Sequence, residues 1–280
     1  MLDWIADEAL GGDRDAAEWV LLACVARVYV PQAHDFSGCR GRRSYHHPSF
    51  PSSQSRTRSL NPPSLTLAHF PSQASTSPST LPTLSGVLSL LLPLHVTLPL
   101  SLDLLNSARF APESINEDLH SGYLQLAHGT TMLMTEGGIQ EGKLIERGVL
   151  NVRTIQQVIN TQTLAYKFPF SEFSFPTDIS FVVLAEGSKS ALFQVRKNTA
   201  VARSVIPLLT CILQTDVTLP LNVPPTCDLY KPKSDINLSS TDKLEAFRRL
   251  ILSAKTGNIE VTDTISEVRA FGPGLRRPIF

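Results

Sequence analysis

The sequence predicts an α/β domain built on a mostly parallel sheet with flanking helices. Two segments read as strands buried on both faces: Thr130 to Thr135 (TTMLMT) and Ile179 to Ala185 (ISFVVLA). Neither alternates apolar with polar residues, as a strand covered on one side would. Between them, Val152, Ile155, Val158 and Ile159 recur at helical spacing within Asn151 to Gln162. Strands alternating with amphipathic helices imply an α/β fold, while the sheet order stays open.

Along the chain, Asp15 to Tyr29 reads as a buried helix that starts at an Asp15/Glu18 capping pair and stops before Pro31. Residues 1–32 are assigned to the α/β domain on this basis. Residues 33–83 are rich in Ser, Pro, Arg, His and Thr. Such a composition buries too little apolar surface to offset chain entropy, so the segment is expected to be mostly disordered. Its exception is a short strand near 64–69 (SLTLAH). Residues 84–268 form the main α/β region. A helix is expected over 83–92, a strand over Leu98 to Leu100, and a helix start near Ser101. Residues 119–126 suit a buried strand or turn. Ala165 to Phe170 and Phe173 to Phe175 are aromatic-rich extended segments. Val205 to Leu213 fits strand or helix, 215–240 reads as loop, Lys243 to Ala254 as helix, and Thr262 to Val268 as a helix start. Residues 269–280 are an unstructured tail.

The 280 residues carry 25 basic and 25 acidic side chains. That balance argues against a dedicated nucleic-acid coat. Cys24, Cys39, Cys211 and Cys227 form no Cys-x-x-Cys pair, so a reducing compartment is the default. The acidic N-terminus lacks the features of a secretory signal. The most apolar stretch, Leu84 to Leu105, is interrupted by Pro93, Pro99, His95 and Asp103, and no membrane span is expected there.

Candidate chemistry is sparse. Gly137 to Leu144 (GGIQEGKL) matches seven of the eight positions of a phosphate-binding loop after a strand. Leu144 has no hydroxyl for magnesium, and Glu141 puts negative charge where polyphosphate would lie. A glycine turn is the simpler reading. In Met132 to Glu136 the magnesium-positioning Asp falls at Thr135, which leaves Glu136 as a solvated strand end. His34, Cys39, His46 and His47 fit no zinc spacing. No Gly-x-Ser-x-Gly elbow occurs. The Arg40-Gly-Arg-Arg cluster with Arg56 and Arg58 reads as a basic, serine-rich segment before it reads as a nucleic-acid contact or import signal. No catalytic, cofactor or metal residues are assigned.

Several segments, in order, resemble the C-terminal half of the mini-chromosome maintenance complex-binding protein family. They are Asp15-Ala-Ala-Glu-Trp-Val-Leu-Leu, Leu98-Pro-Leu-Ser-Leu-Asp-Leu-Leu-Asn with Phe110-Ala-Pro, Ser121-Gly-Tyr-Leu-Gln-Leu, and Gly129-Thr-Thr-Met-Leu-Met-Thr-Glu. Glu141-Gly-Lys-Leu, Gly148-Val-Leu-Asn-Val, Phe175-Pro-Thr-Asp and Leu184-Ala-Glu-Gly-Ser-Lys-Ser continue the series. The resemblance runs over roughly residues 13–268. It implies a degenerate ATPase-like (AAA-type) core that has lost its catalytic parts. It also implies a nuclear, non-enzymatic protein that binds subunits of the mini-chromosome maintenance helicase. Such a protein acts in DNA replication, in assembling or unloading the helicase, and in sister-chromatid cohesion. Chromatin would be met indirectly, and no membrane or small-molecule substrate is implied.

Relative to the family, the N-terminal half and the C-terminal helices have no counterpart in this chain. Residues 34–62 have no place in the pattern either, and read as translated intron or a lineage-specific loop. Two other readings stand beside the first. One is a degenerate nucleotide-binding domain with residual nucleoside-triphosphate binding centred on Gly137 to Lys143. The other is a non-functional product of a truncated gene model.

Overall fold

A computed structural model describes residues 1–29, 60–73, 81–138, 142–186, 193–195, 213–224, 227–237 and 240–257. Met1–Val28 and Asn61–Lys255 form one unit. Tyr29–Leu60 and Thr256–Phe280 are grouped as a second, in which Tyr29 and Leu60 exchange two backbone hydrogen bonds.

The first unit is built on five parallel strands. In chain order they are β1 (Leu65–Ala68), β2 (His95–Ser101), β5 (Thr130–Gly138), β8 (Ile179–Leu184) and β11 (Val217–Pro220). Their spatial order is β11-β1-β8-β5-β2. All six residues of β8 are buried. Its alternate side chains serve two cores. Val182 and Leu184 join Leu133 of β5 and Leu65 and Leu67 of β1 on one face. Phe181 and Val183 join Met132 and Met134 of β5 and Leu98 and Leu100 of β2 on the other. This double burial is why the strands read as continuous apolar runs.

Helices α1 (Leu2–Ala9), α2 (Arg14–Val25), α3 (Thr83–Leu91) and α6 (Thr241–Thr256) cover the first face. Helices α4 (Leu102–Ser107) and α5 (Glu146–Thr161) cover the second. Lys255 pins α6 to the start of β5 by donating its Nζ to the Gly129 carbonyl. Burial lowers the ammonium's pKa.

Four further strands form a separate sheet, ordered β4-β3-β6-β7. They are β3 (Glu113–Ile115), β4 (Asp118–His120), β6 (Thr163–Phe168) and β7 (Ser171–Pro176). A parallel pair, β9 (Phe193–Val195) and β10 (Leu213–Thr215), completes the described strands.

Several expectations are corrected. The N-terminal region holds two helices, not one. Gly11 and Gly12, at φ +63° and +89°, make the turn between them, a conformation that L side chains disfavour. The N-cap of α2 is Asp13, not Asp15: Asp13 Oδ1 accepts from Ala16 N at 3.0 Å. That helix ends at Val25 rather than Tyr29, because Val28 N donates to Asp178 Oδ1 at 3.0 Å and the chain becomes extended. The strand expected near 64–69 sits inside the main sheet, between β8 and β11. Residues 215–240, read as loop, contain β11, whose Pro220 is tolerated on an edge strand. In 119–126, β4 is largely exposed and Leu124 alone is fully buried. The expected elements at 262–268 and over most of 205–213 lie outside the described residues, as does the tail.

Gln162 joins three elements. It caps α5 in the left-handed region at φ 49°, which is costly for a residue other than glycine. Its buried amide donates Nε2 to the Ile179 carbonyl at 2.9 Å and accepts from Ile179 N through Oε1 at 2.9 Å. The Gln162 carbonyl accepts from Thr177 N at 2.8 Å. The start of β8 is thereby tied to the base of the β6–β7 hairpin. Replacing Gln162 with Ala strands both Ile179 groups in a dry site. A loss of about 2–4 kcal/mol in urea-denaturation stability is expected.

His95 opens β2 and is half-buried. Burial lowers its pKa from 6.5 to about 4. The unfolded chain therefore binds more protons than the folded one in that window, and stability falls as pH drops from about 6.5 through about 4. Partial exposure limits the effect to the order of 1 kcal/mol. Melts at pH 7 and pH 4.5 should show a smaller pH penalty in His95→Asn than in wild type.

Candidate protein-interaction surface

The parallel sheet has one place where a ligand would be expected. The connection leaving β1 runs through α3 to β2 at one edge, while the chain leaving β8 reaches β11 at the other. Ligands of open α/β sheets bind beyond the carboxyl ends of strands at such a switch point. Here that crevice is occupied by protein. Phe70 is 2% exposed, and its N–H donates to the Ala185 carbonyl at 2.9 Å. Tyr230 meets the Phe70 ring edge-on at 6.1 Å and donates its hydroxyl to the Pro71 carbonyl. Burial, then the charges of Glu186 and Asp228, pushes the Tyr230 phenol up to about 12. The chain from His69 to Pro82, between β1 and α3, contains neither glycine nor lysine, the residues a phosphate cradle requires. Residues 74–80 of it lie outside the described residues.

The phosphate-loop resemblance falls elsewhere, after β5. Residues 139–141 lie outside the described residues. Gly137 and Gly138 end the strand, and Lys143 precedes α5 by three residues, with Ile145 as its N-cap. Asn106 takes the backbone there: its Nδ2 donates to the Lys143 carbonyl at 3.1 Å, and its Oδ1 accepts from Ile145 N at 3.0 Å. Gly148 makes room for this clamp, since a Cβ would collide with Asn106 Oδ1. The N–H of Ile145 is thus engaged by protein.

Glu136 corrects an expectation. It is 6% exposed rather than solvated, and it has an interaction partner. Among the described residues no group of three or more His, Cys, Asp or Glu side chains is placed to hold a metal ion. His34, Cys39, His46, His47, Cys211 and the Arg40, Arg56 and Arg58 group lie outside the described residues. Cys24 is buried, with its thiol pushed up to about 12, which fits core packing. No described helix is long and apolar enough to cross a membrane.

Among the described residues the exposed phenylalanines, Phe168, Phe170, Phe173 and Phe175, all lie on the β6–β7 hairpin. The antiparallel register pairs Leu164 with Phe175, Tyr166 with Phe173, and Phe168 with Ser171. Directly paired residues share a face, so Leu164, Tyr166, Phe168, Phe173 and Phe175 all lie on one side. Leu164 is buried in the second core and anchors that face. The aromatics continue outward as a ladder. Phe175 meets Tyr166 edge-on at 4.7 Å, and Phe173 meets Phe168 at 5.8 Å. Phe173 is 56% exposed, Phe175 50%, and Phe170 at the tip is fully exposed. At the base lies a groove of about 360 Å³, lined in part by Leu124, Leu126, His128 and Tyr166. Strand β7 is an edge of its sheet. A clustered aromatic face beside a groove is the composition of a protein-binding surface.

Sequence reasoning found the two aromatic segments but assigned them no role. The available signal was four phenylalanines between 168 and 175 at spacings of two and three. A two-residue turn at Pro169-Phe170 converts that spacing into a single face.

Comparison with known proteins gives these features a context. The mini-chromosome maintenance replisome factor model matches residues 54–268, beginning inside the stretch read as an insert. A Drosophila melanogaster protein named mini-chromosome maintenance complex-binding protein is 30% identical over 187 residues, covering 65% of this chain and 27% of its own length. The Arabidopsis thaliana protein of that name is 33% identical over 112 residues, covering 39% of this chain and 19% of its own. The Salmo salar protein is 26% identical over 187 residues, covering 65% and 26%. The chain thus spans about a quarter or less of the length of these curated relatives. With most of its residues matched by one family model, and the motifs from Leu98 to Ser190 lying inside the matched region, the chain belongs to the mini-chromosome maintenance replisome factor family.

Proposed function

We propose that this chain is a non-catalytic nuclear factor that binds subunits of the mini-chromosome maintenance helicase. Its role is in DNA replication, through helicase assembly or unloading, and in sister-chromatid cohesion, with chromatin met through the helicase. The relatives' names supply the partner. The aromatic face of the β6–β7 hairpin supplies the means. Aromatic anchors lose few rotamers on binding and dominate interface energies.

The filled crevice supports the non-catalytic part of this reading. A degenerate ATPase-like (AAA-type) core is the matching structural reading. Five parallel strands with helices on both faces, and a switch point between β1 and β8, are consistent with such a core. Phe70 and Tyr230 stand where nucleotide would enter, and Asn106 holds the backbone beside Lys143. ATP titrated into the folded chain is therefore expected to give no saturable signal, and Lys143→Ala to behave as wild type. Saturable binding that this substitution abolishes would restore the nucleotide-binding reading.

The binding role is tested by affinity capture of the tagged 280-residue chain from nuclear extract, with helicase subunits quantified by mass spectrometry. Wild type should enrich them. Phe173→Ser with Phe175→Ser should lower recovery about tenfold or more, with circular dichroism unchanged because both rings are half-exposed. Equal recovery by both chains, or no enrichment by a folded wild type, overturns the proposal.

A further inference from the structure

A second depression lies beside the aromatic face, between the end of α4 and the first turn of α5. It encloses about 490 Å³ and is lined by Ser107, Arg109, Ser121, Tyr123 and Arg147 together with Ala108 and Gly122. The lining carries two cations and no anion. Arg147 is partly neutralised, since its Nη2 donates to Glu113 Oε2 at 2.8 Å. Arg109 is not. Its Nε is buried without an acceptor, and its guanidinium has no ion pair among the described residues. A buried donor left without an acceptor costs about 1–3 kcal/mol.

The neighbouring carbonyls are already engaged. Asn151 Nδ2 donates to Leu105 O at 2.7 Å and Ala108 O at 2.9 Å. The carbonyls of Arg109, Phe110 and Gly122 accept from Tyr123 N, Leu124 N and Gln125 N. These bonds also fix the backbone that carries Arg109. Among the described residues no acceptor completes Arg109 Nε.

We propose that this pocket is a carboxylate-binding subsite that receives an acidic side chain of a protein partner. Three observations favour that ligand class. A guanidinium fork matches a carboxylate in a bidentate pair. One uncompensated cation, in a chain with 25 basic and 25 acidic residues, is too little for a nucleic-acid backbone, whose binding needs several phosphate contacts. Successive residues of one segment also line the pocket and the apolar groove: Ser121, Gly122 and Tyr123 line the pocket, and Leu124, Gln125 and Leu126 line the groove. An extended segment along 121–126 would seat its apolar groups under the aromatic face and its carboxylate on Arg109. The assignment rests on the reading that this face binds protein.

The test uses the 280-residue chain and a fluorescein-labelled peptide of alternating leucine and glutamate, with a leucine–glutamine peptide as neutral control. Fluorescence anisotropy should show about tenfold tighter binding of the acidic peptide. Arg109→Gln should erase that preference and leave the neutral peptide's affinity unchanged. Should Arg109→Gln fail to fold, Arg147→Gln at the pocket's more exposed wall must weaken the preference instead. An acidic-peptide affinity that survives these substitutions overturns the subsite. So does a duplex oligonucleotide, or inorganic phosphate, that displaces the peptide in an Arg109-dependent manner, since the site would then select phosphate. Arg109-independent peptide binding alongside loss of helicase capture in Phe173→Ser/Phe175→Ser refutes the subsite alone. Arg109-dependent peptide binding with full capture in that variant refutes the hairpin reading alone.

Discussion

Strand β8 is buried on both faces, and the arrangement of the unit follows from that constraint. A strand with six buried residues needs apolar cover above and below as well as a neighbour on each edge. β5 and β1 are the neighbours. α1, α2, α3 and α6 supply one cover, and α4 and α5 supply the other. The strand must also enter this core in register, because a slip of one residue would exchange Val182 and Leu184 with Phe181 and Val183. Gln162 sets that entry by bonding both backbone groups of Ile179, the strand's first residue. A side-chain amide replaces a neighbouring peptide there, and the left-handed backbone at Gln162 is the cost of aiming it.

The same contact decides where the aromatic face lies. β6 begins immediately after Gln162, and β7 ends just before Thr177, whose N–H donates to the Gln162 carbonyl. The hairpin is therefore rooted at both ends on one residue. Leu164 is drawn into the core beside α5, and every second residue beyond it must then share its face. Tyr166 and Phe168 follow on β6, and the register adds Phe173 and Phe175 from β7. Two of the exposed rings are thus held by ring contacts as well as by the strand, which lowers the entropy lost when a partner covers them.

Much of the scaffold was legible in the sequence, for physical reasons. TTMLMT and ISFVVLA read as buried strands because burial on two faces removes alternation, and helix α3 matched its expected span because its apolar residues recur without a break. The misses share a cause too. Asp13 and Asp15 read alike as local caps in the sequence, and Asp13 is additionally held by Asn222 N, which donates to its Oδ2 from across the fold. β11 was read as loop because a four-residue edge strand ending in proline carries almost no pattern of its own. Its partner, β1, is 152 residues earlier, and that pairing is not a local property. Glu136 looked like a strand end because the sequence does not show how far β5 runs past it. Arg109 gave no sign at all, since an uncompensated cation is defined by which acceptors its neighbours have already taken.

The contrast between the two ends of this architecture favours recognition over catalysis. At the carboxyl ends of β1 and β8, where an α/β sheet offers its ligand crevice, the backbone groups bond to one another and Phe70 is sealed against Tyr230. A site that binds small ligands leaves such groups unpaired and accessible. On the small sheet the balance is reversed. Large aromatic rings stay in water, and β7 is an edge of its sheet among the described residues. Exposed aromatics and an open sheet edge favour association unless something covers them. The crevice is filled by the chain's own side chains, whereas the hairpin leaves large rings in water, and that difference supports the binding role proposed for the hairpin.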